Sequence, residues 1–190
     1  MRKIILSQHA SLDGFVAGPN GEMDWILLDD EMFDLVGSFT DAADTGLYGR
    51  VTYELMDNYW PDAGNKPNAS KHDIQHSTWY NNVQKIVVSK TMKGMQLKNT
   101  MIISENIPEI IKKKKEEPGK NMMMFGSPTL SYLLTQNKLI DEYWIFINPV
   151  LIGNGIPLFA NIKERIKLKL IETKQFPSGV TGLHYKLGIP

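Results

Sequence analysis

At 190 residues, with 21 basic and 21 acidic side chains and a formal net charge of zero, the chain suits one well-cored domain. It lacks the cationic excess of a nucleic-acid-binding protein, and without cysteine it has no disulfide, thiolate nucleophile or cysteine-ligated zinc. No apolar run reaches transmembrane length and the opening run is too short for a signal-peptide core, so a cytoplasmic protein with no membrane partner is expected.

The apolar start at residues 3–8 reads as a buried strand, and Asp13-Gly14 and Gly18-Pro19 then mark an irregular loop. Asp29 or Asp30 can cap a helix whose apolar positions are Met32, Phe33, Val36 and Phe39. A very short strand at 46–49 runs into a helix with Val51, Leu55 and Met56 on one face, and Pro61 opens a loop that ends near Ala69. A helix at 71–81 leads to strands at 85–89 and 101–104, a helix at 107–117, a strand at 121–125, a helix at 127–136 and a strand at 142–148. Residues 168–173 and 181–187 read as a closing strand pair around Phe176 to Gly179. Strands alternating with helices predict an α/β fold with a mostly parallel central sheet, and the helix-free end predicts an antiparallel edge.

Two strand-to-helix turns and one strand end carry the candidate chemistry. At Gly49-Arg50-Val51-Thr52, free helix-start N–H groups, the Arg50 fork and the Thr52 hydroxyl suit phosphate oxygens; the alternative is an ordinary helix start with a surface arginine. At Gly126-Ser127-Pro128-Thr129-Leu130, Gly126 permits close backbone approach and Pro128 fits the first helical turn; the alternative is a structural helix start. Ser89 and Lys90 leave a strand at its carboxyl end, where they could hold a phosphate or ribose or simply form a polar turn. His72 and His76 share a helix face at zinc-site spacing, but no third ligand is evident, so two solvent-facing histidines and no metal are expected. The charge run at 112–117 reads as a solvated helix end, and Gly153-Asn154-Gly155 as a turn.

In order and spacing these pieces resemble the dihydrofolate-reductase-like family, in particular the branch with the reductase domain of the bifunctional riboflavin-biosynthesis protein. The matching residues are Ser11 to Ala17, Met23 to Trp25, Leu47 to Glu54, Ile86 to Lys90, Phe125 to Leu130, Asp141 to Tyr143 and Asn148 to Phe159, nearly the whole chain. The resemblance implies one dihydrofolate-reductase-like domain, NADPH as hydride donor, a small-molecule substrate and a homodimer. It implies that Arg50, Thr52, Ser89 and Lys90 face the adenosine and phosphate end of the cofactor. Gly126, Ser127, Thr129 and Leu130 would lie under its pyrophosphate, with Ala10 and the loop from Asp13 to Ala17 at the nicotinamide. Where many members carry a Gly-Gly pair with a cis peptide this chain has Gly126-Ser127, leaving that isomer open. Asp30 is the nearest match to the acid that binds pterin in dihydrofolate reductases, with Asp29 and Glu31 as rivals and helix capping as the alternative role. The supporting threonine of those enzymes appears as Ile145.

Two functions compete on this reading. One is an NADPH-dependent reductase of a small pterin- or pyrimidine-like heterocycle or carbonyl compound, with dihydrofolate a poor substrate. The other is a protein that keeps the fold or the nucleotide site without turnover. For the first, Asp30, Ser7 and an ordered water are the candidate proton sources.

Overall fold

A continuous apolar run is what a strand covered on both faces requires, and β1 (Ile4–Ser11) has one: of its eight residues only His9 is not fully buried. The computed structural model describes residues 1–188, and β1 lies inside its main sheet. After β1 the chain forms β2 (Phe15–Ala17), α1 (Asp30–Asp41), β3 (Ala43–Gly49), α2 (Arg50–Ala63), α3 (Lys71–Asn82), β4 (Gln84–Val88) and β5 (Thr100–Ile103). It continues with α4 (Ile107–Glu116), β6 (Asn121–Phe125), α5 (Pro128–Gln136), β7 (Glu142–Asn148), β8 (Ile156–Pro157), β9 (Leu168–Gln175) and β10 (Thr181–Leu187).

Eight strands pair in the order β5-β4-β3-β6-β1-β7-β10-β9. The first six run parallel, and β10 is antiparallel to both β7 and β9, as the helix-free end predicts. The α/β class read from the sequence therefore holds, with two layers of helices. On one face Leu6, Met122, Met124, Tyr143 and Ile145 pack with Ile111 of α4 and Leu134 of α5. On the other Ile5, Met123, Phe125, Trp144 and Phe146 pack with Met32 of α1, Tyr53 of α2 and Tyr80 of α3.

Local chemistry explains the helix starts. Asp29 accepts from the Met32 N–H at 2.9 Å and so is the cap of α1, leaving Asp30 as its first helical residue. Ser70 and Asp73 form a reciprocal capping box on α3. Pro128 opens α5, where its missing N–H costs nothing.

Several expectations are corrected. Val51 and Leu55 are 58% and 52% exposed; α2 instead turns Tyr53 and Ala63 inward, and it runs past Pro61 to Ala63. His72 and His76 do not face solvent. α3 lies against both α1 and α2, and its histidines fill the gap: His72 stacks on Phe33 at 4.0 Å, and His76 lies 4.0 Å from Trp60 and is 4% exposed. The charge run at the end of α4 is not wholly solvated. Lys115 is buried and donates to the Leu139 carbonyl at 2.7 Å and to Asp141 at 2.6 Å. Ile145 belongs to the α4–α5 face, so the residues of β7 that look toward α1 are Trp144 and Phe146. Neither offers a hydroxyl.

Candidate functional site

Parallel strands present ligand sites at their carboxyl ends. Here β3 and β6 lie side by side and end at Gly49 and Phe125, so the N-termini of α2 and α5 come together. The junction is tied by Ser127, whose hydroxyl accepts from the Gly49 N–H at 2.9 Å. Gly126 and Ser127 both have φ of +59°, and the bond between them is trans. For Gly126 this backbone geometry is free of strain because it lacks a Cβ; a side chain there would point toward Gln8 and Thr52.

The atoms nearest that position are mostly polar. A Cβ at Gly126 would lie 3.8 Å from Gln8 Oε1 and 3.8 Å from Thr52 Oγ1, ordinary contact distances, so nothing fills the cradle. Gln8 Nε2 donates to the His9 carbonyl at 3.0 Å, whereas its Oε1 is buried with no donor. A buried acceptor without a donor costs about 1–3 kcal/mol, so a donor brought to Gln8 Oε1 would be stabilising. The first-turn N–H groups of α2 and α5 have no intrahelical acceptors and add partial positive charge beside it. Arrangement and charge together suit a ligand that brings hydroxyl or amide donors and phosphate oxygens.

The structure brings together some of the residues singled out in the sequence and separates others. Gly126, Ser127 and Thr52 meet at the cradle. The side chain of Leu130 goes into the core and that of Thr129 is exposed, so only their backbone N–H groups belong to it. Gly49 is in register with Val88, placing Arg50 and Ser89 just past the ends of neighbouring strands. Arg50 is folded back on its own helix, pairing with Glu54 at 2.7 Å, and Lys90 is exposed. The Ser89 hydroxyl accepts from the Met92 N–H at 3.2 Å and so braces its own turn.

Ala10 is fully buried near the end of β1, and Ala17 pairs with Ile156 of β8. The loop between them is clamped: Asp13 accepts from the Ser11 hydroxyl at 2.6 Å and the Gly153 N–H at 2.7 Å, which holds its carboxyl below the usual range. Gly155 is required there because a Cβ would sit 2.1 Å from the Ala17 carbonyl oxygen. Of the three candidate acids, Asp29 is consumed by the Met32 and Ser178 N–H groups, Glu31 faces Lys174 at 3.7 Å, and Asp30 is exposed.

Sequence reasoning missed Gln8, His9 and Asn148 as site residues. Asn148 is fully buried; its Oδ1 accepts from the Leu27 N–H at 2.9 Å, and its Nδ2 reaches the Ala10 and Phe146 carbonyls and the His9 ring. Polar residues at the carboxyl ends of two adjacent, otherwise apolar strands are the signal that could have found them. Two surface depressions, of about 210 and 160 Å3, are lined by other residues. Among the described residues no cluster of His, Asp or Glu could hold a metal ion, and no helix is long and apolar enough to cross a membrane.

Residues 2–181 match the model of the RibD C-terminal domain. The chain is 36% identical over 189 residues to the uncharacterized protein YyaP of Bacillus subtilis (strain 168), covering 97% of this chain and 94% of that one. Among solved structures it resembles the diaminohydroxyphosphoribosylaminopyrimidine deaminase/5-amino-6-(5-phosphoribosylamino)uracil reductase of Thermotoga maritima, with TM-score 0.70, 15% identity and coverage of 98% of this chain and 57% of that one. It also resembles the dihydrofolate reductase of Enterococcus faecalis complexed with NADP(H), with TM-score 0.64, 13% identity and coverage of 98% and 97%. At such identities these structures establish a shared dihydrofolate-reductase-like fold. The match along almost the whole chain and the shared fold agree, and this chain belongs to the RibD C-terminal domain family.

Proposed function

We propose that the protein is an NADPH-dependent reductase of a small heterocyclic or carbonyl substrate. The observation that carries this reading is the cradle: the donorless Gln8 Oε1 faces the gap over Gly126, between two helix N-termini. NADPH carries the hydroxyl and amide donors that Gln8 lacks and the phosphates that helix N-termini attract. The name of the Enterococcus relative, complexed with NADP(H), points the same way.

Bound there, the reduced nicotinamide supplies hydride. The chain itself binds and orients. Gly126 and the N–H groups of Thr129 and Leu130 hold the pyrophosphate, Thr52 adds a hydroxyl, and Arg50, Ser89 and Lys90 meet the adenosine end. Ala10 and the clamped loop through Ala17 border the nicotinamide. Asp30, the exposed acid that opens α1, relays a proton through water. Dihydrofolate is a poor substrate on this reading, because the β7 residues facing α1 are Trp144 and Phe146, which offer no hydroxyl to support an acid there. A pyrimidine, as in the Thermotoga relative's name, is the substrate class this reading favours.

The test has two parts. NADPH at 100 times its dissociation constant should add about 2.7 kcal/mol of stability; an unchanged melting temperature refutes the reading. NADPH oxidation should then proceed with 5-amino-6-(5-phosphoribosylamino)uracil or a related carbonyl compound and hardly at all with dihydrofolate. Binding without turnover of any acceptor would favour a protein that kept only the nucleotide site.

The quaternary state we propose is a homodimer. Its support is β9, an edge strand whose Leu170 and Ile171 are 50% and 42% exposed. Antiparallel pairing with a second copy can set Lys169 opposite Glu172 twice over, joining opposite charges across the seam. Sedimentation velocity of the wild type and of Leu170→Lys distinguishes dimer from monomer.

A further inference from the structure

We propose that His9 is the substrate-facing hydrogen-bond donor of this site, a neutral imidazole whose Nε2–H meets the carbonyl oxygen or imine nitrogen of the group being reduced. The inference rests on the reading of the cradle as a nicotinamide site.

The geometry starts at Asn148. Its amide oxygen is committed to the Leu27 N–H, so the atom 3.3 Å from His9 Nδ1 is the NH2 group, which can only donate. His9 Nδ1 is therefore the acceptor, and the ring proton sits on Nε2, which makes no hydrogen bond among the described residues. The ring is held in place by stacking on Phe146 at 5.1 Å. Its position is the carboxyl end of β1, next to Gln8, whose side chain donates to the His9 carbonyl and turns its free oxygen to the Gly126 cradle. Neighbouring residues of a strand point to opposite faces, so His9 looks toward the α1 side while Gln8 looks toward the cradle. One strand end thus carries the acceptor for the cofactor and the donor for the substrate.

The neutral state is built in. Burial alone pushes the His9 ring down to about 4; no carboxylate or cation contributes to the shift, and Phe146 and Asn148 against it are uncharged. A neutral imidazole does not give up its remaining proton at working pH. In the reduction, the acceptor carbon receives hydride with its electron pair. The π pair moves onto oxygen or nitrogen, and that atom takes its proton from water while His9 keeps its own. His9 supplies the hydrogen bond that strengthens as charge builds on the heteroatom. The site consequently selects an uncharged acceptor group over a carboxylate, which a donor with no positive charge stabilises poorly.

Long-range 1H–15N spectra of 15N-histidine protein test this without turnover. The His9 signals are identified by their loss in His9→Gln, or by elimination with His72→Gln, His76→Phe and His184→Gln. The expected result is the Nε2–H tautomer, no protonation from pH 8 down to 5, and a shift of the Nε2 signal when uracil, a neutral ring with two carbonyl acceptors, is added with NADP+. An Nδ1–H tautomer, titration near the ordinary histidine value, or an Nε2 signal that uracil leaves unmoved would overturn the proposal. Failure of NADP+ to move any resonance would instead sink the reading of the cradle, while the tautomer and low titration would still report on His9.

Discussion

Replacing Gly126 by alanine separates the fold from the function assigned to it. The fold cost is small and calculable. Gly126 sits at φ +59°, where a residue with a Cβ pays roughly 1 kcal/mol relative to glycine. The new methyl would meet nothing closer than 3.8 Å, so no clash is added. For a chain of this length about 1 kcal/mol lowers the melting temperature by roughly 2–4 °C. The effect on the cofactor is larger, because the methyl occupies the space between Gln8 Oε1 and Thr52 that the pyrophosphate and its ribose would use. If the ligand is lifted enough to leave Gln8 Oε1 without its donor, about 1–3 kcal/mol of binding is lost, on the order of 5- to 150-fold in Kd. Thermal unfolding of the free variant and calorimetric titration with NADPH measure the two quantities separately. A folded Gly126→Ala protein that binds NADPH within twofold of the wild type would refute the placement of the cofactor over this glycine.

Two further outcomes follow from the same geometry. Arg50 must leave Glu54 to reach a phosphate, so Glu54→Gln should tighten NADPH binding by about twofold, given that an exposed helix pair contributes about 0.3–0.5 kcal/mol. Arg50→Ala should instead weaken NADPH more than NADH, and equal effects on the two in parallel titrations would remove Arg50 from the site. His76 is buried, its Nε2 has no partner, and burial holds its ring down at about 3. The unfolded chain therefore binds a proton that the folded one refuses once the pH falls below about 6.5, and stability drops by up to about 1.4 kcal/mol per pH unit from there toward 3. His76→Phe, placed among Trp60, Trp79 and Phe125, should flatten that slope; urea midpoints of both proteins at pH 7 and pH 5 decide, and an unchanged difference between them would be contrary to the burial argument.

The fold was legible because its signals are local and repeated. The buried strands are written as unbroken apolar runs, and the turn from alternating strands and helices to strands alone marks the antiparallel edge. Helix faces were harder. Val51, Leu55 and Met56 look like a buried stripe, but the direction of α2 is set by its N-terminus, which must meet α5 at the Gly49–Ser127 contact. That tertiary constraint rotates Tyr53 inward and leaves Val51 and Leu55 exposed. His72 and His76 were misjudged for a similar reason. Imidazole is a flat aromatic as well as a base, and between Phe33, Trp60 and Phe125 its stacking outweighs the cost of losing its charge.

The site divides along the same line. Gly126 and Ser127 stand out in the sequence as the turn before a proline-started helix, a pattern that suits a structural helix start as well as an anion cradle. Arg50 is readable as a cation, but not its engagement by Glu54, which depends on how the exposed turn of α2 relaxes. Gln8 and His9 are hidden by context: within an apolar strand they read as interruptions. Their meaning appears only when β7 brings Asn148 alongside, because one amide, committed by Leu27, then decides which nitrogen of His9 carries the proton. A strand end holding two buried or half-buried polar groups, each with one partner satisfied and one atom left open, is costly for a structural element and economical for a binding site. On the proposed function the open atoms, Gln8 Oε1 on one face and His9 Nε2 on the other, would set the reacting pair across the end of β1.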